Sequence, residues 1–167
     1  MTTVARGEAD SASRYGFRAV ADDERDLDQE WSELLEEHRV AMPGAQVLFT
    51  FLLVLPFQNR FGEISDSQED VYFGAFVCAA IAIVLLITPT ASHRILWRRQ
   101  DKEALLQFAT KTSIAALGFL SVSMSASVFL VADFLFGPVT TALATVVVAA
   151  LFLWFWFGRP VFRRRRA

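Results

Sequence analysis

Cysteine, histidine and charge within the apolar stretches are what this sequence has least of, and each scarcity excludes something. A single cysteine, Cys78, excludes an intramolecular disulfide. The only two histidines, His38 and His93, stand far from that thiol, which leaves too few ligands for a structural metal cluster. Neither a metal nor a cofactor is therefore expected. The chain has no Walker A or GxGxxG phosphate loop, no GxSxG elbow and no HExxH pair. Paired carboxylates are missing from its apolar segments, and no nucleophile–base pair is visible, so no enzyme is expected. The first residues are polar and acid-rich and lack the apolar core of a signal peptide, so the first membrane helix is expected to act as its own insertion signal.

Charge is wholly absent from four stretches, Val40–Asn59, Val71–Ser92, Thr112–Ala132 and Phe134–Gly158. Each is long enough for an α-helix to cross ~30 Å of hydrocarbon at about 1.5 Å per residue. In lipid the backbone must satisfy its own hydrogen bonds, and helices do so. With 54% hydrophobic and 20% charged residues, the composition agrees. The expected fold is all-α: a polytopic membrane four-helix bundle preceded by a cytoplasmic amphipathic helix. Its parts are a flexible tail at 1–21, an acidic helix at 22–41, a bundle at 42–158 and a basic tail at 159–167. The spans fall at about 42–59, 70–90, 108–136 and 139–158.

The net charge of −2 hides strong segregation. Eleven of the 18 acidic residues lie in the first 41 positions, and five of the 16 basic ones lie in the last nine. Arg and Lys divide 15 to 1 between the two sides, the one exception being Arg60 in the first connection. The positive-inside rule then places both termini in the cytoplasm, in a multi-pass protein of the bacterial plasma membrane. Pro89 is expected to end or kink span two. Pro43-Gly44 with Pro56 shorten the clean core of span one, leaving either a kinked helix or a short one extended by the segment before it. Phe136-Gly137-Pro138 reads as a tight hairpin, which makes spans three and four antiparallel neighbours.

Ahead of span one, Leu27, Trp31, Leu34 and His38 recur at spacings of four, three and four, and Leu35 widens the stripe. Asp26, Asp28, Glu30, Glu33, Glu36 and Glu37 surround it. A membrane-surface helix normally carries basic residues on its polar face, so an acidic one fits a protein contact better. The stripe is therefore a candidate partner-docking surface, with an ordinary solvated face over one buried stripe as the alternative.

Polar residues inside the spans are few. Lys111 and Asp133 bracket span three, about 33 Å apart along a helix, too far to pair. Lys111 is placed to snorkel to headgroups, and Asp133 to reach water or Arg60 near the opposite surface. Asp133 with Ser121, Ser125, Gln58 and Asn59 marks a candidate ion pathway. The pairs Ser121/Ser125 and Ser123/Ser127, and the trio Gly74, Cys78 and Ala82, form small-residue strips that suit close helix packing or a homo-oligomer interface. Span four ends in Phe152, Trp154, Phe155, Trp156 and Phe157, followed by Arg159 and by Arg163, Arg164, Arg165 and Arg166. Aromatics at headgroup depth with arginines beyond them make an anchor for anionic lipid headgroups rather than a nucleic-acid site.

The strings ELLEEHRVAMPGAQVLFTFLLVLPF, VYFGAFV, LLITPTASHRILWRR and DKEALL carry a resemblance. From about Trp31 to Trp156 the chain resembles an uncharacterised family of small actinobacterial integral membrane proteins with four spans. Some members carry an automatic sodium:proton antiporter label. The resemblance implies a four-span protein of unknown function and brings no ion-binding residue with it. Two functions are expected from these features: a non-enzymatic membrane subunit or scaffold that docks a protein partner, or a small oligomeric cation or proton transporter.

Overall fold

The computed structural model describes the backbone of residues 2–96 and 102–158 and the side chains of residues 25–91 and 103–156. Four helices follow one another: α1 (Thr2–Val54), α2 (Asp66–Leu96), α3 (Lys102–Leu135) and α4 (Pro138–Phe152). Two 3-10 turns, Leu55–Phe57 and Phe61–Glu63, join α1 to α2, and a π-helical turn, Leu153–Gly158, continues α4. All four helices are long and apolar enough to cross a membrane, and the described residues contain no strand. The α1–α2 and α3–α4 connections share one end of the molecule, the hairpin end. The start of α1 and the far ends of α2 and α4 share the other, the terminal end.

What holds the helices together is a repeat of seven. On α1 the positions Leu27, Trp31, Leu34, His38, Ala41, Ala45, Leu48 and Leu52, spaced alternately by four and three, are all buried or half-buried. Tyr72, Ala75, Ala79, Ala82, Leu86 and Pro89 form the same pattern on α2, and Ala109, Ser113, Ala116, Leu120 and Ser123 form it on α3. Alternating threes and fours average 3.5 residues per turn, the period that keeps one seam facing its neighbours as helices wind around each other. Alanine or serine fills half of the α2 seam and most of the α3 seam, and Ala41 and Ala45 stand midway along that of α1. Backbones therefore approach closely there and gain van der Waals contact, the packing term left to helices in lipid. Ala45, Ala82 and Ala116 are fully buried together with Leu86 and Leu120. Toward the hairpin end, Leu52, Tyr72, Ala75 and Ala79 form a second cluster, with Phe49 stacked on Phe76 at 5.0 Å.

Hydrogen bonds tie these three helices pairwise. Tyr72 donates its hydroxyl proton to the Leu52 carbonyl at 2.7 Å, joining α2 to α1. Ser123 donates to the Ala75 carbonyl at 2.8 Å, joining α3 to α2. His38 meets Ser113 at 3.0 Å, joining α1 to α3. α4 is the least enclosed span and lies mainly along α3; only its last turn, through Trp156, reaches the inner cluster.

Several expectations change. Of the two readings of span one, extension by the segment before it is the one seen: α1 runs unbroken from Thr2, through the stretch expected to be a tail, to Val54. Pro43 does not interrupt it, since Ala41 and Met42 before the proline and Ala45 and Leu48 after it pack on one cluster. Its missing N–H removes one helical bond, but the seam stays in register. Pro89 is fully buried in α2, which continues to Leu96 rather than ending there. The packed strip of α2 is 75/79/82, not 74/78/82: Gly74 is exposed, and a Cβ there would meet nothing within 4 Å.

That shift of strip gives a direct test. Ala79→Leu forces the inner helices apart and is expected to cost about 1–3 kcal/mol, whereas Gly74→Ala changes stability by less than about 0.5 kcal/mol. Detergent-induced unfolding followed by circular dichroism reads both values, and the reverse order would contradict the packing.

Candidate functional site

Two places concentrate polar chemistry, one at each end of the bundle. At the terminal end, His38 is 5% exposed on α1 and faces α3. Its Nδ1 lies 2.7 Å from the Leu34 carbonyl. A carbonyl only accepts, so Nδ1 carries the proton and donates. Nε2 then faces the Ser113 hydroxyl at 3.0 Å, and that hydroxyl also lies 2.7 Å from the Ala109 carbonyl. The single hydroxyl proton is shared between two acceptors when the ring is neutral.

Serine beside a histidine has the spacing of a nucleophile and its base, which the sequence did not reveal because the residues are 75 positions apart. Both residues sit inside continuous α-helices, where their own backbone N–H groups are already used in helical hydrogen bonds. The geometry is that of a clamp between α1 and α3.

The docking stripe divides accordingly. Leu27, Trp31, Leu34 and Leu35 are half-buried and His38 is buried, so part of the stripe is already covered within the chain. The carboxylates are not: Asp26, Glu30, Glu33 and Glu37 are all exposed, and their spacing of four, three and four puts them on one face of α1. The basic segment Arg94–Lys102 and the tail with Arg159, Arg163, Arg164, Arg165 and Arg166 lie outside the described side chains.

The five pathway candidates do not converge. Asp133, half-buried near the end of α3, accepts a 2.7 Å hydrogen bond from Gln68 Nε2 on α2. Arg60, the partner expected for it, instead pairs with Glu63 at 3.2 Å and lies 4.8 Å over the Phe134 ring. Arg60 is drawn aside because Glu63 stands on the next turn of the same short connection, while Gln68 reaches Asp133 from the first turns of α2. Gln58 and Asn59 are exposed in that connection, and Gln58 edges a cavity at the hairpin end. Ser121 and Ser125 line a different cavity, a groove of about 450 Å³ between α3 and α4. Their hydroxyls are turned onto their own helix: Ser121 donates to the Gly118 carbonyl and Ser125 to the Ser121 carbonyl, each at 2.8 Å. Bonds of that kind engage the hydroxyl proton and fix the rotamer, but not the oxygen lone pairs that a cation would meet. Among the described residues no group of three or more His, Cys, Asp or Glu could hold a metal ion.

Four helices of membrane-crossing length and composition, with a thin small-residue core and apolar outer faces, define a multi-pass membrane protein. The chain belongs to the family of unknown function DUF6328, whose model matches residues 21–160. The match takes in the acidic part of α1 together with all four spans. No curated protein and no solved structure matches the chain.

The clamp is testable on its own. Ser113→Ala strands the buried Nε2 of His38 and is expected to cost about 1–2 kcal/mol. Ser127→Ala, which removes only a bond to the Ser123 carbonyl of the same helix, is expected to cost less than about 0.5 kcal/mol. Thermal unfolding of the two variants in one detergent compares them; equal melting temperatures would mean that the clamp contributes nothing.

Proposed function

We propose that this protein is a non-enzymatic membrane subunit or scaffold that docks a basic protein partner through the acidic helix it holds above the bilayer. One observation carries the reading. The helix that crosses the membrane is continuous with the acidic segment, and Asp26, Glu30, Glu33 and Glu37 stand exposed along one face while His38 is clamped inside. A rigid row of carboxylates at membrane height repels anionic lipid and attracts a cationic protein surface, which steers encounter and sets register. The 15-to-1 division of basic residues supports a cytoplasmic terminal end in a bacterial plasma membrane, so the partner would be cytoplasmic or membrane-bound on that side. Arg159 and Arg163–Arg166 would then meet anionic headgroups beneath it.

A second reading, a small oligomeric cation or proton transporter, is favoured by the groove between α3 and α4, where Ser121, Ser125 and Thr145 line the wall. A second copy of the chain would have to close that groove. Proton and sodium flux in proteoliposomes, lost when the groove's hydroxyls are removed in Ser121→Ala/Ser125→Ala, would favour this reading over docking.

The docking reading is tested by reversing the acidic face. Glu30→Lys/Glu33→Lys/Glu37→Lys is expected to fold as the wild type does and to lose a stoichiometric partner that the wild type retains through gentle purification from its native membrane. Capture by the wild type should also weaken as salt shortens the Debye length from about 8 Å. A partner held equally by both chains, or none held by the wild type, would overturn the proposal.

A further inference from the structure

The hairpin end holds a cavity of about 240 Å³ between the α1–α2 connection and the facing ends of α2 and α3. Its wall is almost entirely apolar, built chiefly from Leu55, Phe61, Tyr72, Leu130 and Phe134, and Arg60 stands at its edge. The volume falls below the roughly 300 Å³ at which pockets for drug-sized ligands begin, which suits one segment of a flexible chain better than a rigid molecule.

Arg60 is part of the lining, and its partner Glu63 lies three residues on in the same connection, outside the lining itself. Arg60 donates through Nε to Glu63 at 3.2 Å, with side chains 70% and 58% exposed. An exposed pair of this kind contributes on the order of 1 kcal/mol at most, so its members are readily taken by other partners. The guanidinium is held in place by the Phe134 ring beneath it at 4.8 Å. A cation and an anion side by side, above an apolar slot and at the depth where helices leave the membrane, match a molecule with the opposite pair above an acyl chain. A phosphate would meet Arg60, an adjacent ammonium would meet Glu63, and the first part of one chain would enter the cavity.

We infer that this cavity binds a zwitterionic glycerophospholipid of the phosphoethanolamine type from the leaflet at the hairpin end. Two alternatives fit less well. An anionic lipid leaves Glu63 facing a second negative charge with no cation to answer it. A free phosphate gains nothing from the apolar wall. The inference stands independently of the docking proposal, since it involves the opposite end of the molecule.

Native mass spectrometry of the detergent-purified full chain, given equal amounts of phosphatidylethanolamine and phosphatidylglycerol, tests it. The wild type should retain phosphatidylethanolamine preferentially. Arg60→Gln, which removes the charge-assisted contact, should bind it about tenfold more weakly. Glu63→Gln, an exposed change that leaves the fold intact, should reverse the preference toward phosphatidylglycerol. Val131→Trp, which fills the slot from its α3 wall, should lower retention of both lipids. Preference of the wild type for phosphatidylglycerol, or equal retention of the two lipids unchanged in Arg60→Gln and Glu63→Gln, would overturn the assignment.

Discussion

The close approach of α1, α2 and α3 along seams of small residues is the constraint on which the rest depends. Lipid tails are as apolar as leucine, so burying large side chains between helices brings no hydrophobic gain of the kind found in water. Contact has to come from backbones near enough for dispersion and for hydrogen bonds between helices. Ala45, Ala79, Ala82 and Ala116 at full burial make that approach, and the Tyr72, Ser123 and His38 contacts are reachable only because of it. Many large side chains, among them Phe51, Phe73, Val84, Val122 and Leu143, are left on the outer faces, where lipid would solvate them.

One seam does more than pack. On α1 the seven-residue register begins in the charged segment at Leu27 and continues, without a break in phase, to Leu52. A helix whose first part belongs to water and whose second part belongs to lipid is thereby fixed to the bundle along both. Its acidic face then has a set direction relative to the membrane, as a docking surface requires. The opposite end of the molecule has a different character, with an apolar slot, an aromatic rim and one ion pair, and the two ends would serve different ligands.

Much of this is legible in the residues. The four uncharged runs mark the four helices, and the spacing of Leu27, Trp31, Leu34 and His38 marks the buried stripe. The continuation of that stripe stays open in the residues, because Pro43-Gly44 fits a kink as well as an extension, and the contacts on both sides of the proline decide for one continuous helix. The strip on α2 was missed by one residue: Gly74 is small and suggests packing, but burial follows Ala75, and size alone does not orient a helix. Arg60 and Asp133 attract on paper, yet Glu63 and Gln68 are nearer partners once the connection turns. The His38–Ser113 pair spans 75 residues, and no local pattern relates positions so far apart.

The central claim is that the segment outside the membrane and span one are one clamped helix. Amide hydrogen exchange of the full chain in lipid nanodiscs, read on peptides covering Arg25–Leu52, tests it most directly. The clamped helix predicts exchange across the charged stretch Arg25–Val40 at least ~100-fold slower than in an unstructured peptide, with no step at Pro43. Exchange at the unstructured rate up to Pro43, with protection beginning only after it, would mean that the acidic segment is free of the bundle and would contradict the account.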